Sequence, residues 1–413
     1  MMSKSGSSPV RPLIGSIVIG IVAACGGAGA TIPPASVQPS VAAASSAAPS
    51  PRATVGAGAT LVPSPAPPFP IAAFADISRD PASEEASAKL QQVLADMAGD
   101  GGMTATLMTP DGTWSGTAGK ADGVLDLQVD SQFGIASVTK SVVAAQVMQL
   151  VEAGDLALDE PASDYLPADL GFDTNGATIR QLLNMHAGIP DWYGDAMENV
   201  VATDRSHVWT TAEVLALVAP GRTIAGATFL YTDTNYNLLG LAIEHVRKQP
   251  LVDVLRDGVL RVEGTERLIY QPAEAPTDPM AMPRGEPRTA LEQGGGYLPS
   301  ISDASSAGPA GSIASDSISL ARWWLAFCAG EIVSQASLTE MSTFVGGPDG
   351  YGLGLFNPAD GYAEGVGHLG ANFGYVSWAG CLTDRRSVLV VLANQAIDDI
   401  GGLAEPLVDA AFR

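Results

Sequence analysis

The sequence is poor in positive charge. Lysine and arginine together number 21 against 44 acidic residues, a formal net charge of −23. Such a surface repels phosphate backbones and anionic lipid head groups, which argues against nucleic acid as a partner. Only five lysines occur, at 4, 89, 120, 140 and 248, so a lysine in a patterned position stands out. Histidine is scarcer still, at 186, 207, 245 and 368, with no spacing suited to metal ligation. There is no glycine-rich phosphate loop before a helix and no Gly-x-Ser-x-Gly elbow, which speaks against nucleotide chemistry and an α/β-hydrolase. There is no internal repeat. No cofactor and no metal site is expected.

What is present begins with a targeting segment. Lys4 and Arg11 precede an apolar stretch of 12 residues, Leu13 to Ala24. It suits a signal h-region and is short for a membrane span. It ends in Val22-Ala23-Ala24-Cys25, which resembles a bacterial lipoprotein signal. Residues 1–25 are thus expected to be a signal, with lipidated Cys25 anchoring an extracytoplasmic protein to the membrane; the alternative is an ordinary cleaved signal peptide with Cys25 incidental. Residues 26–75 are mostly Ala, Pro, Ser and Gly, too poor in apolar bulk to offset ordering, and read as a flexible tether. The remaining cysteines, 328 and 381, could pair in an oxidising compartment. Cys328 lies in the apolar run Trp324 to Cys328, and the reading favours two small buried hydrophobes.

Residues 76–413 carry the pattern of a folded domain. Leu90, Val93, Leu94 and Met97 share one helix face. Thr104–Met108 and Thr113–Gly119 flank Pro110-Asp111-Gly112 and predict a β-hairpin. Val376–Cys381 and Val388–Leu392 predict strands near the other end, with a final helix over Leu403–Phe412. Between them the pattern is helical, including Val142–Val151, Thr178–Met185, Thr211–Val218, Asn235–His245 and a helix opened by Asp316. Ser300–Gly311 reads as a mobile loop. This predicts an antiparallel sheet built from both chain ends with a helical lobe inserted.

Three short motifs carry chemistry. In Ser137-Val138-Thr139-Lys140 the i, i+3 spacing puts the ammonium on the serine's helix face. A serine needs such a neighbour to become a nucleophile, and a helix N-terminus favours the charge that develops. Alone, the motif could equally be an N-cap and a surface lysine. Tyr231-Thr232-Asp233 leads into an apolar helix, and alone could be a capping loop. His368-Leu369-Gly370-Ala371 precedes the late strands, and alone could be a histidine beside a tight turn.

In this order and spacing the three resemble the serine β-lactamase and D-alanyl-D-alanine carboxypeptidase family, on the class C branch that includes esterases. That branch carries Ser-x-x-Lys, Tyr-x-Asn and then Lys-Thr-Gly or His-x-Gly. Phe133–Ser137, Thr178–Pro190 and Tyr351–Gly354 resemble its supporting segments. The resemblance implies a β-lactamase/transpeptidase-like α/β (α+β) fold, with 76–413 as the catalytic domain. It implies Ser137 as acylated nucleophile and Lys140 and Tyr231 as proton carriers. The N–H groups of Ser137 and Ala371, beside Gly370, would form the oxyanion hole, and His368 would stand beside the substrate. Two positions depart from the branch. Asp233 replaces asparagine; a carboxylate cannot donate to a substrate carbonyl, and beside Lys140 it would favour the ammonium. Leu369 replaces a frequent threonine. The expected substrate is a small peptide of the D-alanyl-D-alanine type, with carboxylic esters and β-lactams as alternatives. A non-catalytic peptide-binding envelope protein is the alternative of another class.

Overall fold

The computed structural model describes residues 67–413 except 348–349 and 360. The expected signal, Cys25 and the tether up to residue 66 lie outside the described residues.

The chain turns at Pro110-Asp111 between β1 (Gly102–Thr109) and β2 (Gly112–Gly119), paired antiparallel as predicted. Short strands β3 (Phe133–Gly134), β4 (Ile269–Tyr270) and β5 (Ile313–Ser315) form a separate small sheet in the order β3-β5-β4. The late strands are β6 (Gly365–Asn372), β7 (Tyr375–Leu382) and β8 (Ser387–Ala393). They join the first hairpin in a five-stranded sheet, β2-β1-β8-β7-β6. Strand β1 pairs with β8, so both chain ends build one sheet and β6 is left at an open edge. The helices are α1 (Glu84–Ala98), α2 (Thr139–Ala153), α3 (Ile179–Leu183), α4 (Asp195–Thr203), α5 (Thr211–Ala216), α6 (Asp233–Arg247), α7 (Leu251–Asp257), α8 (Arg288–Gln293), α9 (Ile301–Ala307), α10 (Ser317–Cys328), α11 (Gln335–Met341) and α12 (Glu405–Phe412).

Strand β8 explains why its sequence is apolar without alternation. Val388, Val390 and Leu392 face the core shared with α2, α6 and α10; Leu389 and Val391 face a second core with Leu90 and Leu94 of α1 and Leu407 of α12. A strand covered on both faces needs apolar side chains at every position. Helix α2 is buried nearly all round, which fits its run of valine, alanine and methionine. Gly154, at φ 79°, ends it in the left-handed conformation that glycine adopts without a steric penalty.

Three expectations change. Cys328 and Cys381 are disulfide-bonded, with Cα atoms 6.7 Å apart, rather than two separate thiols. Both are fully buried, as the sequence implied; packing of α10 on β7 brings them within reach. Ser300–Gly311 is not a loose loop. Ser300 caps α9 by accepting from the Asp303 N–H, and Ser302 to Ser306 are buried. Its serines bond outward instead: Ser302 and Ser305 accept from the Trp209 indole and backbone N–H groups. Finally, packing begins before Asp76. Phe69 and Phe74 are buried and stacked, and the Phe69 N–H donates to Thr339 Oγ1.

Candidate active site

The site is assembled where the turn before α2 meets the open edge of β6. Strand β3 is held by β5, and the Ile135 N–H donates to the Ile313 carbonyl. Ala136 then adopts φ 47°, a left-handed conformation that costs a residue with Cβ about 1–2 kcal/mol. A 3₁₀ turn over Ala136–Val138 carries Ser137 and runs straight into α2. The Thr139 hydroxyl accepts from the Ile313 N–H and ties the start of α2 to β5.

One turn on, Lys140 is completely buried. Its Nζ donates to Ser137 Oγ at 2.8 Å and to the Ala310 carbonyl at 2.8 Å, and meets Asp233 Oδ1 at 2.6 Å. Three acceptors for three ammonium protons describe a charged lysine. Burial works against that charge, but the carboxylate of Asp233 and the Tyr231 hydroxyl outweigh it and raise the Lys140 pKa. The Tyr231 hydroxyl stands beside Ser137 and Lys140, and burial raises its own pKa despite the ammonium. At neutral pH the resting group is therefore an ammonium, a phenol and a serine in mutual contact.

Strand β6 supplies the opposite wall. The Gly367 N–H and carbonyl bond to Phe356 on the side away from β7. With a period of two, the Ala371 N–H faces the same open edge. Gly370 lets the nucleophile turn come close: a Cβ there would sit 2.3 Å from the Ile135 carbonyl oxygen. Ser377 on β7 donates to that same oxygen at 2.7 Å. Leu369 and Ala371 side chains lie on the other face, against the second core, so Leu369 serves packing.

His368 lies on β6 beside the Tyr231 ring. It is 1% exposed and both ring nitrogens are engaged. Nδ1 lies 2.5 Å from the Leu369 carbonyl, which can only accept, so Nδ1 carries the proton and Nε2 accepts from the Tyr351 hydroxyl at 2.9 Å. Burial, then the Lys140 charge, pushes its pKa down to about 3. It is a neutral ring beside Tyr231 (centroids 6.3 Å apart), because the surrounding Tyr351 and Phe356 leave it no solvent.

The beta-lactamase family model matches residues 88–410. The chain belongs to the beta-lactamase family. Among curated members of this family, penicillin-binding protein 4 of Amycolatopsis lactamdurans is 30% identical over 320 residues, covering 72% of this chain and 80% of that protein. The D-amino acid amidase of Ochrobactrum anthropi SV3, complexed with L-phenylalanine, superposes with a TM-score of 0.67 at 25% identity, covering 79% of this chain and 98% of that one. A D-stereospecific amidohydrolase from a Streptomyces species gives 0.63 at 26%, over 79% and 98%. This member of the beta-lactamase family is a serine hydrolase built on the β-lactamase/transpeptidase-like fold.

Three site groups escaped the sequence reading. Asp191 follows the Thr178–Pro190 segment, and its Oδ1 accepts from the Asp233 N–H at 3.1 Å. Asp303 is buried at 5% exposure and accepts from Asn372 Nδ2. Burial, then the charge of Asp233, pushes the Asp303 pKa up to about 7. Tyr193 lies close enough to feel Asp303 and Asp233. The usable signal for Asp303 was Ser300-x-x-Asp303, a helix-start pattern inside an apparently featureless stretch.

Proposed function

We propose that this protein is a serine amidohydrolase acting through an acyl-enzyme on Ser137, with D-alanyl-D-alanine-type cell-wall peptides as its leading substrates. The observation that carries the reading is the Lys140 Nζ–Ser137 Oγ contact of 2.8 Å, with Tyr231 beside both. Before acylation the Lys140–Tyr231 pair loses one proton to solvent; Ser137 Oγ then bonds to the substrate carbonyl carbon, and its proton passes to the vacated site on the pair. The oxyanion is met by the N–H groups of Ser137 and Ala371. The C–N bond then breaks, the pair returns the proton to the leaving amine, and water repeats the sequence to release the acid. Amides of single D-amino acids are a second reading, favoured by the likeness to the D-amino acid amidase. Esters and β-lactams would use the same steps.

The test is intact mass after incubation with a penicillin, wild type beside Ser137→Ala. A wild-type adduct that is absent from the variant is expected, together with D-alanine release from D-alanyl-D-alanine peptides. Undiminished turnover by Ser137→Ala would end the assignment; no adduct and no penicillin hydrolysis would move the substrate to esters. We also propose that Cys25 is lipidated and holds the enzyme at the outer face of the membrane, supported by Val22-Ala23-Ala24-Cys25. Mass spectrometry of the mature N-terminus checks it, and an unmodified terminus downstream of Cys25 would rule it out.

A further inference from the structure

Helix α6 begins at Asp233, yet its own N-cap residue does not cap it. The Thr232 side chain makes no capping bond, and its buried hydroxyl has no hydrogen-bond partner. The first N–H groups of a helix need acceptors, and here they come from a distant loop. Asp191 Oδ1 accepts from the Asp233 N–H at 3.1 Å and from the Thr234 N–H at 3.4 Å. Neighbouring residues lock this join. The Thr234 hydroxyl donates to the Pro190 carbonyl at 3.0 Å and accepts from the Trp192 N–H at 3.1 Å, and the Trp192 indole donates to Asn237 Oδ1. The backbone of Asp233 thus points at Asp191 while its carboxylate points at Lys140.

We propose that Asp191 is a positioning residue that caps α6 in trans, aims Asp233 at Lys140, and through its charge controls how tightly Lys140 keeps its proton. Two carboxylates stand at one helix end. Among the described residues only Lys140 forms an ion pair with Asp233, and none forms one with Asp191. The groups facing Asp191 are Asp233, Lys140, the Thr234 hydroxyl and the Tyr193 N–H, and Asp303 interacts electrostatically with Asp233. Burial, then the Asp233 charge, pushes the Asp191 pKa up to about 7. When Asp191 loses its proton, a second negative charge appears near Lys140 and strengthens its ammonium form. Acyl transfer needs that ammonium, or Tyr231 beside it, to surrender a proton, so Asp191 restrains the nucleophile's base as pH rises.

The kinetic arm of the test rests on the acyl-enzyme reading; a second arm does not. In Asp191→Asn the amide oxygen still accepts from α6 but the charge is gone. Its acid limb of kcat/KM for an activated ester should move down by roughly half to one pH unit, with the plateau within about threefold of wild type. Asp191→Ala, which also loses the cap, should drop the plateau by about tenfold or more. The second arm is NMR of the full chain labelled at lysine ε-carbons, which gives at most five signals, Lys140 being identified by its loss in Lys140→Arg. The Lys140 signal should inflect near pH 7 in wild type, lose that inflection in Asp191→Asn, and keep it in Asp303→Asn. An inflection that survives Asp191→Asn, or is absent from wild type, overturns the proposal. If Asp191→Asn fails to fold, wild type beside Asp303→Asn decides: an inflection absent from wild type or lost in Asp303→Asn overturns the proposal. An inflection that behaves as expected in an enzyme without Ser137-dependent turnover would sink the hydrolase reading and leave this one standing.

Discussion

Asp233 holds the ammonium at 2.6 Å where the branch's usual asparagine would bring no charge. Burial alone lowers the Lys140 pKa, and the carboxylate is the largest force raising it. A base that must first lose a strongly held proton makes kcat/KM climb with pH. Asp233→Asn should therefore shift that climb downward by about one unit, because the ammonium loses its counter-charge while staying buried. A pH–rate profile of ester hydrolysis checks this; an unchanged limb would mean that Lys140 is not the group titrating. Gly370 makes a steric prediction. Gly370→Ala forces a methyl against the Ile135 carbonyl and pushes β6 away from the nucleophile turn. Activity should fall about a hundredfold, since sub-ångström placement of the oxyanion donors is lost. At this scale helix spacing made the Ser137–Lys140 contact legible, while Tyr231 and Asp233 were legible only through the resemblance to a family that carries Tyr-x-Asn. Asp191 and Asp303 were not legible, since each meets Asp233 only through folding of segments far apart in the chain. The neutral state of His368 was not legible, because the residues that enclose it, Tyr351 and Phe356, are invisible to a local motif.

The first hairpin, α2, β7 and β8 were readable from period and turn chemistry, both local properties; β6 was not, since its glycines read as a turn. The chain-end sheet followed because two apolar strand sets at opposite ends can only be covered by pairing with each other. Helix α9 was missed because its buried face is serine and alanine, so no apolar stripe advertises it; its burial depends on Trp209. The disulfide was missed because cysteine spacing says nothing about how α10 crosses β7. That crosslink makes its own prediction. It closes a loop between residues separated by 53 positions; chain entropy assigns such a closure about 4 kcal/mol, and disulfides typically deliver about 2–4 kcal/mol. Melting with and without reductant should show a loss of that size, accompanied by loosening of α10 on the sheet. Cys328→Ala with Cys381→Ala should reproduce it; equal melting temperatures would mean that packing of Trp323, Trp324 and Phe327 alone holds the layer.

For the molecule as a whole, charge runs against stability at high pH. Asp191 and Asp303 are buried acids whose pKa values are raised to about 7. Between about pH 4 and 7 the folded chain binds protons that the unfolded chain has released, so stability falls as pH rises through that window. Self-repulsion at a net charge of −23 acts in the same direction. Opposing them are carboxylates held low, such as Asp76 by Arg386 and Asp159 by Arg180, whose stabilisation is lost only on acidification below about pH 4. These sit at the surface and are worth little each. The melting temperature should therefore peak near pH 4 and decline toward pH 8. Asp303→Asn should flatten the decline and add about 1 kcal/mol or more at pH 8 while changing little at pH 4, since the introduced amide oxygen can still accept from Asn372. A melting temperature that rises steadily from pH 5 to 8 would mean that these acids ionise freely, and the cost of keeping carboxylates beside Lys140 would then have to be carried by something other than their burial.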